Sequence, residues 1–280
     1  MVKSLATSLP SSPFWIGFDE ARLAVETIVD VAGDDPEERP TCILLTGASG
    51  MGKTSVLREA GRRIAQQFKD DEKLVEDDAA HNPMIRVVIP SSPTSVRINL
   101  AILWKQGQPL TNSIMKTADL KVVDLLRAQR TRMVAIDNIH AAMTATGRAR
   151  IDTLNALRFL MSEGTTPMVL AGLERATDIL AEDEELSNRS IELKLNRWKA
   201  GVDTQRIVFA LAKGMNLEAP ERFKDKRFAA FLHKHSGGIT GEFKRLLHWG
   251  GKMAKRDDRN RIEMRDLEKA AALLPRRAAD

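Results

Sequence analysis

Eight consecutive residues, Gly47-Ala48-Ser49-Gly50-Met51-Gly52-Lys53-Thr54, place glycines, an ammonium and a hydroxyl at the G-x-x-x-x-G-K-[ST] spacing. Glycine lets the main chain curl tightly enough for successive N–H groups to converge on phosphate oxygens, and a helix beginning at Lys53 adds its positive dipole end. Lys53 is expected to reach the β- and γ-phosphates of ATP. Thr54 is expected to offer its hydroxyl to Mg²⁺, and Ser55 completes the cradle. A chance glycine-rich turn is disfavoured because a strand-like apolar run, Cys42-Ile43-Leu44-Leu45, precedes the segment and a helical pattern comes after it.

A second constellation supplies the carboxylate that such a site needs. Met133-Val134-Ala135-Ile136-Asp137 is an apolar run ending in an acid, which sets Asp137 at the carboxyl end of a strand beside the metal. The next position commonly carries a glutamate that polarises the attacking water, but here it is Asn138. An amide orients water by hydrogen bonding and cannot take its proton at neutral pH, so slow or partner-dependent hydrolysis is expected. His140 is either a polar substitute or a structural, partner-facing side chain.

The elements that must hold these groups follow from periodicity. The spacing predicts an amphipathic helix within 14–32, with Leu23, Ile28 and Val31 among its apolar positions. It then predicts an acidic loop over 34–40, a helix over 53–68, a strand over 84–89, the end of a helix over 122–129, a helix over 151–161, a strand over 168–171 and a fifth strand over 191–195. Strands separated by helices imply a parallel five-stranded sheet flanked on both faces. After Trp198 the pattern is helical only, over 204–213, 225–235, 241–255 and 264–274. The expected organisation is a flexible segment 1–13, an α/β nucleotide-binding domain 14–199, a small all-helical lid 200–274 and a basic tail 275–280.

Composition narrows the class. At 280 residues with 43% hydrophobic and 29% charged, the chain has the make-up of a soluble globular protein. Its one cysteine, Cys42, excludes an internal disulfide and suits a reducing compartment and a strand-packing role. No apolar run approaches the ~20 residues of a membrane span. Residues 1–13 do not read as a secretory signal, so a cytoplasmic location is expected. Lys and Arg number 43 against 38 Asp and Glu, a balance that permits nucleic-acid binding without requiring it. Trp15, Trp104, Trp198 and Trp249 are too scattered for a base-stacking platform and read as core or interface residues.

With these motifs in place, and with Val169-Leu170-Ala171-Gly172-Leu173-Glu174-Arg175-Ala176 downstream, the chain resembles the TniB/TnsC-like AAA+ regulators of DNA transposition. Asn155-Ala156-Leu157, Asp183-Glu184-Glu185-Leu186-Ser187-Asn188-Arg189 and Gly237-Gly238-Ile239-Thr240-Gly241-Glu242 come in the family's order, and the likeness covers about residues 14–272. The resemblance implies a P-loop AAA+ fold, ATP bound at subunit interfaces, and rings or helical filaments around duplex DNA. It implies partnership with a transposase and a target-selection protein. Arg189 corresponds to an arginine finger acting on a neighbour's γ-phosphate, with an ordinary surface arginine as the alternative.

Leu173 replaces the polar sensor residue, a second departure, and Glu174 is a candidate to compensate. Lys244 or Arg245 falls where a second sensing cation approaches nucleotide, or on a solvated helix face. DNA contacts carried over by position fall on Arg97, Lys105, Lys116 and Thr117, cations and a hydroxyl suited to phosphate oxygens, or else plain loop residues. The tail Pro275-Arg276-Arg277 adds non-specific affinity or none. Two other readings stand beside the transposition regulator. One is a general AAA+ loader or remodeller with rapid turnover, and the other a nucleotide-bound scaffold that hardly hydrolyses. No clustered carboxylates or Cys/His spacing suggest nuclease chemistry.

Overall fold

The computed structural model describes residues 14–35, 39–75, 80–91, 93–144, 147–181 and 183–274. Residues 1–13, the middle of the acidic loop and the 275–280 tail, with its Pro275-Arg276-Arg277 run, lie outside them. Five strands form: β1 (Cys42–Gly47), β2 (Met84–Val88), β3 (Met133–Asp137), β4 (Met168–Ala171) and β5 (Ser190–Leu195). β1, β3 and β4 are buried at every position, which is why their sequences are continuous apolar runs with no alternation. β2 and β5 lie at the edges and expose part of their length.

All pairings are parallel, in the order β2-β3-β4-β1-β5. Parallel neighbours need crossovers, and helices provide them. After α1 (Asp19–Val31), which precedes β1, these are α2 (Lys53–Gln67), α3 (Ser95–Lys105), α4 (Asn112–Lys116), α5 (Ala118–Ala128), α6 (Gly147–Gly164), α7 (Thr177–Ala181) and α8 (Glu184–Asn188). Leu44, Val87, Ile136 and Leu170 of the sheet pack with Ile102, Val122 and Leu157 of α3, α5 and α6 in one core. After β1 the chain crosses to the far edge, so the strand order reverses beside β1. In open parallel sheets ligands gather at the carboxyl ends of the strands flanking such a reversal.

The chain divides into two compact units. One holds Asp19–Gly47 and Lys53–Leu195, and therefore the whole sheet. The other holds the described parts of Met1–Phe18, Ala48–Gly52 and Asn196–Asp280. Its helices are α9 (Val202–Gly214), α10 (Lys226–Ser236), α11 (Thr240–Arg256) and α12 (Met264–Leu273), packed around Phe223, Phe243, Leu247 and Leu267. Phe18 meets Trp198 edge to face at 4.8 Å, while the Trp198 indole N–H donates to Thr240 Oγ1 at 2.9 Å. The start of α12 is fixed by a reciprocal Glu263–Asp266 cap, and the fully buried Asp266 takes two bonds from Arg259 at 2.7 and 2.8 Å.

One expectation needs correction. Leu23 is 57% exposed; α1 instead buries Ala21, Ala24, Val25, Ile28 and Val31, because alanines complete the inner face. Trp104, read as a core or interface residue, is 63% exposed on α3, so the core alternative does not hold for it. The helix whose end is expected over 122–129 begins at Ala118, and α6 starts four residues before the apolar period becomes visible, its first turn being Gly-Arg-Ala-Arg. No helix among the described residues is long and apolar enough to cross a membrane. Cys42 is fully buried at the start of β1, and burial pushes its thiol up to about 12.

Replacing the fully buried Ile28 by alanine should cost about 2–5 kcal/mol in urea unfolding. Leu23→Ala, on the same helix but facing water, should stay within about 0.5 kcal/mol.

Candidate nucleotide site

The geometry begins with register. β1, β3 and β4 are aligned so that Leu45 pairs with Ala171 and Ala171 with Asp137, which puts the end of β3 level with the approach to the glycine-rich turn. β1 continues two residues further, to Gly47. A Cβ there would sit 2.7 Å from the carbonyl oxygen of Leu195, and φ is +150°, so only glycine fits. Gly50 has φ +85°, its carbonyl accepts the Gly241 N–H at 2.9 Å, and a side chain would press on Ile239 at 3.0 Å. Met51 is fully buried and anchors the turn, while Ser49 and Gly50 stay exposed.

Lys53, Thr54 and Ser55 form the first turn of α2, where backbone N–H groups have no intrahelical partner and the dipole favours an anion. The Lys53 ammonium is buried and donates to the Gly47 carbonyl at 2.7 Å. Burial lowers its pKa, and the Asp137 and Glu174 carboxylates oppose that shift. Thr54 Oγ1 donates to Asp137 Oδ2 at 2.8 Å, and Asp137 is 5% exposed. A hydroxyl and a buried carboxylate at this separation are the oxygen donors that a Mg²⁺ ion takes, with phosphate and water completing its shell. The residues present therefore fit the metal nucleotide that the motif predicts.

Asn138 sits directly after Asp137 in the left-handed region at φ +63°, exposed, with its N–H donating to Asp137 Oδ1 at 2.9 Å. Asparagine tolerates that conformation and most residues do not. Asparagine is therefore compatible with the path that the main chain takes out of β3. His140 Nδ1 accepts the Leu173 N–H at 3.3 Å, so the ring carries its proton on Nε2 when neutral. Burial holds its pKa below the usual histidine value, helped by Arg175 and Lys53 and opposed by Asp137. The imidazole ties the end of β3 to the loop after β4, the place where Leu173 offers no polar side chain. Glu174 is paired with Lys194 at 3.3 Å.

The structure does not bring Arg189 to this site. Its carbonyl accepts the Cys42 N–H at 2.9 Å, at the amino end of β1. The phosphate turn is at the other end of that strand, roughly 16 Å away at ~3.3 Å per residue. The guanidinium is held by Glu185 at 2.6 Å, a pairing visible in the sequence as an i, i+4 spacing. In the helical unit, Lys244 lies over the Phe14 ring at 5.1 Å and Arg245 faces Glu242 at 3.7 Å. Arg97, Lys105, Lys116 and Thr117 are all exposed, on or between α3, α4 and α5.

The sequence matches the family described as bacterial TniB protein over residues 8–200. The chain belongs to the TniB family. No curated protein matches it. Among solved structures, the Aeropyrum pernix ORC2 protein in ADPNP–ADP complexes superposes with a TM-score of 0.68 at 13% identity, over 96% of this chain and 70% of that one. The Thermotoga maritima RuvB Holliday junction branch migration motor gives 0.56 at 18%, over 92% and 70%. At such identities the likeness shows the fold, which is that of the AAA+ P-loop ATPases.

Asn138→Val should lose about 1–2 kcal/mol of stability through left-handed strain. Asn138→Gly should be close to neutral, both read by urea denaturation.

Proposed function

We propose that this TniB protein binds Mg²⁺–ATP at the Gly47–Ser55 cradle and hydrolyses it slowly or on partner stimulation. In that state it assembles on duplex DNA without reading sequence, and recruits or activates a transposase while bridging to a target-selection factor. The observation that carries the nucleotide reading is the Thr54–Asp137 hydrogen bond at the carboxyl ends of the sheet, beside a buried Lys53. Bound magnesium would offset triphosphate charge and orient the terminal phosphate. The chain's own groups do the rest. Backbone N–H groups of the turn and the start of α2 hold phosphate oxygens, Lys53 exchanges the Gly47 carbonyl for phosphate, and Asn138 orients water without accepting its proton.

Arg189 supports assembly. Set a strand length from its own turn, it suits a neighbour's γ-phosphate, which would make the interface complete the site. Binding of ATP then favours the oligomer and hydrolysis releases it. The DNA and transposase roles follow from the motif resemblance to the transposition regulators, and Arg97, Lys105, Lys116 and Thr117 are the proposed phosphate contacts, exposed cations and a hydroxyl that suit backbone oxygens rather than base edges. A cytoplasmic location accords with a single buried thiol.

Lys53→Ala should abolish ATP binding in calorimetry while leaving the melting curve of a folded chain. In negative-stain images the wild type with linear duplex and ATP should show rings or filaments that ADP does not support. The protein–DNA affinity should fall steeply with salt, by about 0.9 log units per log unit for each phosphate contacted. Rapid, client-driven turnover would favour a remodeller. Binding without phosphate release, unchanged in Asn138→Glu, would favour a scaffold.

A further inference from the structure

Arg189 has a main chain that is fixed and a side chain that is not. Its N–H donates to Leu186 at 3.3 Å and its carbonyl takes Cys42 N–H at 2.9 Å, so the core and sheet set where the residue starts. Leu186 itself is 1% exposed in the core beneath the sheet. Beyond Cβ, however, arginine has several free torsions, and a cation that must meet a phosphate across an interface gains from being aimed beforehand.

Among the described residues one group aims it. Glu185 Oε1 accepts from Arg189 Nη2 at 2.6 Å, an ion pair that engages one of the five N–H donors of the guanidinium. Glu185 is steadied in turn. Arg158 Nη1 stands 3.9 Å from its other oxygen, and Arg158 Nε is 3.2 Å from Asp183, whose carboxylate caps α8 by accepting the Leu186 N–H at 3.0 Å. A cleft of about 570 Å³ lined by Ile151, Asn155, Arg158, Glu185 and Asn188 opens beside this chain of contacts. Glu185 is 44% exposed and the Arg189 side chain 18%, so water screens the pair mainly from the carboxylate side.

We propose that Glu185 is the positioning residue for Arg189, holding one edge of the guanidinium so that the other faces the nucleotide of the adjacent copy. This rests on the reading of Arg189 as acting between subunits, and the test separates the two. Lys53→Ala subunits keep Arg189 but cannot hold ATP, and Arg189→Ala subunits hold ATP but lack the cation. With duplex DNA and ATP each alone should be inactive and a mixture should release phosphate.

Adding Glu185→Ala to the Lys53→Ala subunit should lower the mixture's kcat roughly tenfold, with KM for ATP unchanged because another subunit binds it. Glu185→Gln in the same place keeps the acceptor and should restore most of the rate. If the alanine variant melts early, Glu185→Met keeps the stem and helix propensity and replaces it. A mixture that stays silent overturns the reading of Arg189 and the inference with it. A mixture indifferent to Glu185→Ala, or one that glutamine fails to rescue, overturns the inference alone.

Discussion

A threonine hydroxyl and an aspartate carboxylate, 83 positions apart in the chain, meet at 2.8 Å, and most of the fold exists to make that meeting reproducible. Thr54 is placed by the first turn of α2, which is placed by a turn that only glycines can make. Asp137 is placed by a strand whose preceding residues are all buried. The two strand ends are brought level by β4 lying between them in strict parallel register. A slip of one residue in any of these pairings would turn Asp137 to the opposite face of the sheet. Because β1, β3 and β4 are apolar throughout, alternation does not guard against that slip, and the fit of individual buried side chains has to do so.

The charges in the site are balanced rather than merely collected. Lys53 is pulled toward neutrality by burial and restored by two carboxylates. Its hydrogen bond to the Gly47 carbonyl gives the buried ammonium a partner. Asp137 divides its oxygens between the Thr54 hydroxyl and the Asn138 N–H. His140 commits its Nδ1 to the main chain of the neighbouring loop, so it serves first as a strut. The polar groups that the family resemblance leads one to expect at 138 and 173 are replaced together, and both positions adjoin that strut.

Much of this was legible in the amino-acid sequence, because the elements that position the site are the ones with strong local signals. Glycine spacing, apolar runs and the acid after Ile136 marked β1, α2 and β3 to within two residues. Signals failed where a polar first turn hides a helix start, as at Gly147, or where alanines bury a face that a leucine was expected to fill, as on α1. The backbone conformation of Asn138 was not readable, since a left-handed residue there is dictated by the path the chain takes out of β3. The distance of Arg189 from its own phosphate turn was equally hidden, because strand order is a tertiary property. Glu185 was the exception: its spacing from Arg189 was in plain view, and only its tertiary setting beside Arg158 gave it meaning.

The lone thiol has a practical consequence. Cys42 sits at the foot of a central strand, fully enclosed and held in its protonated form, so reagents that attack thiolates find nothing to attack in the native chain. A cysteine introduced on any exposed helix, α3 or α8 for instance, would therefore be the sole reactive handle, and fluorophores or spin probes could track subunit encounters with the native strand untouched.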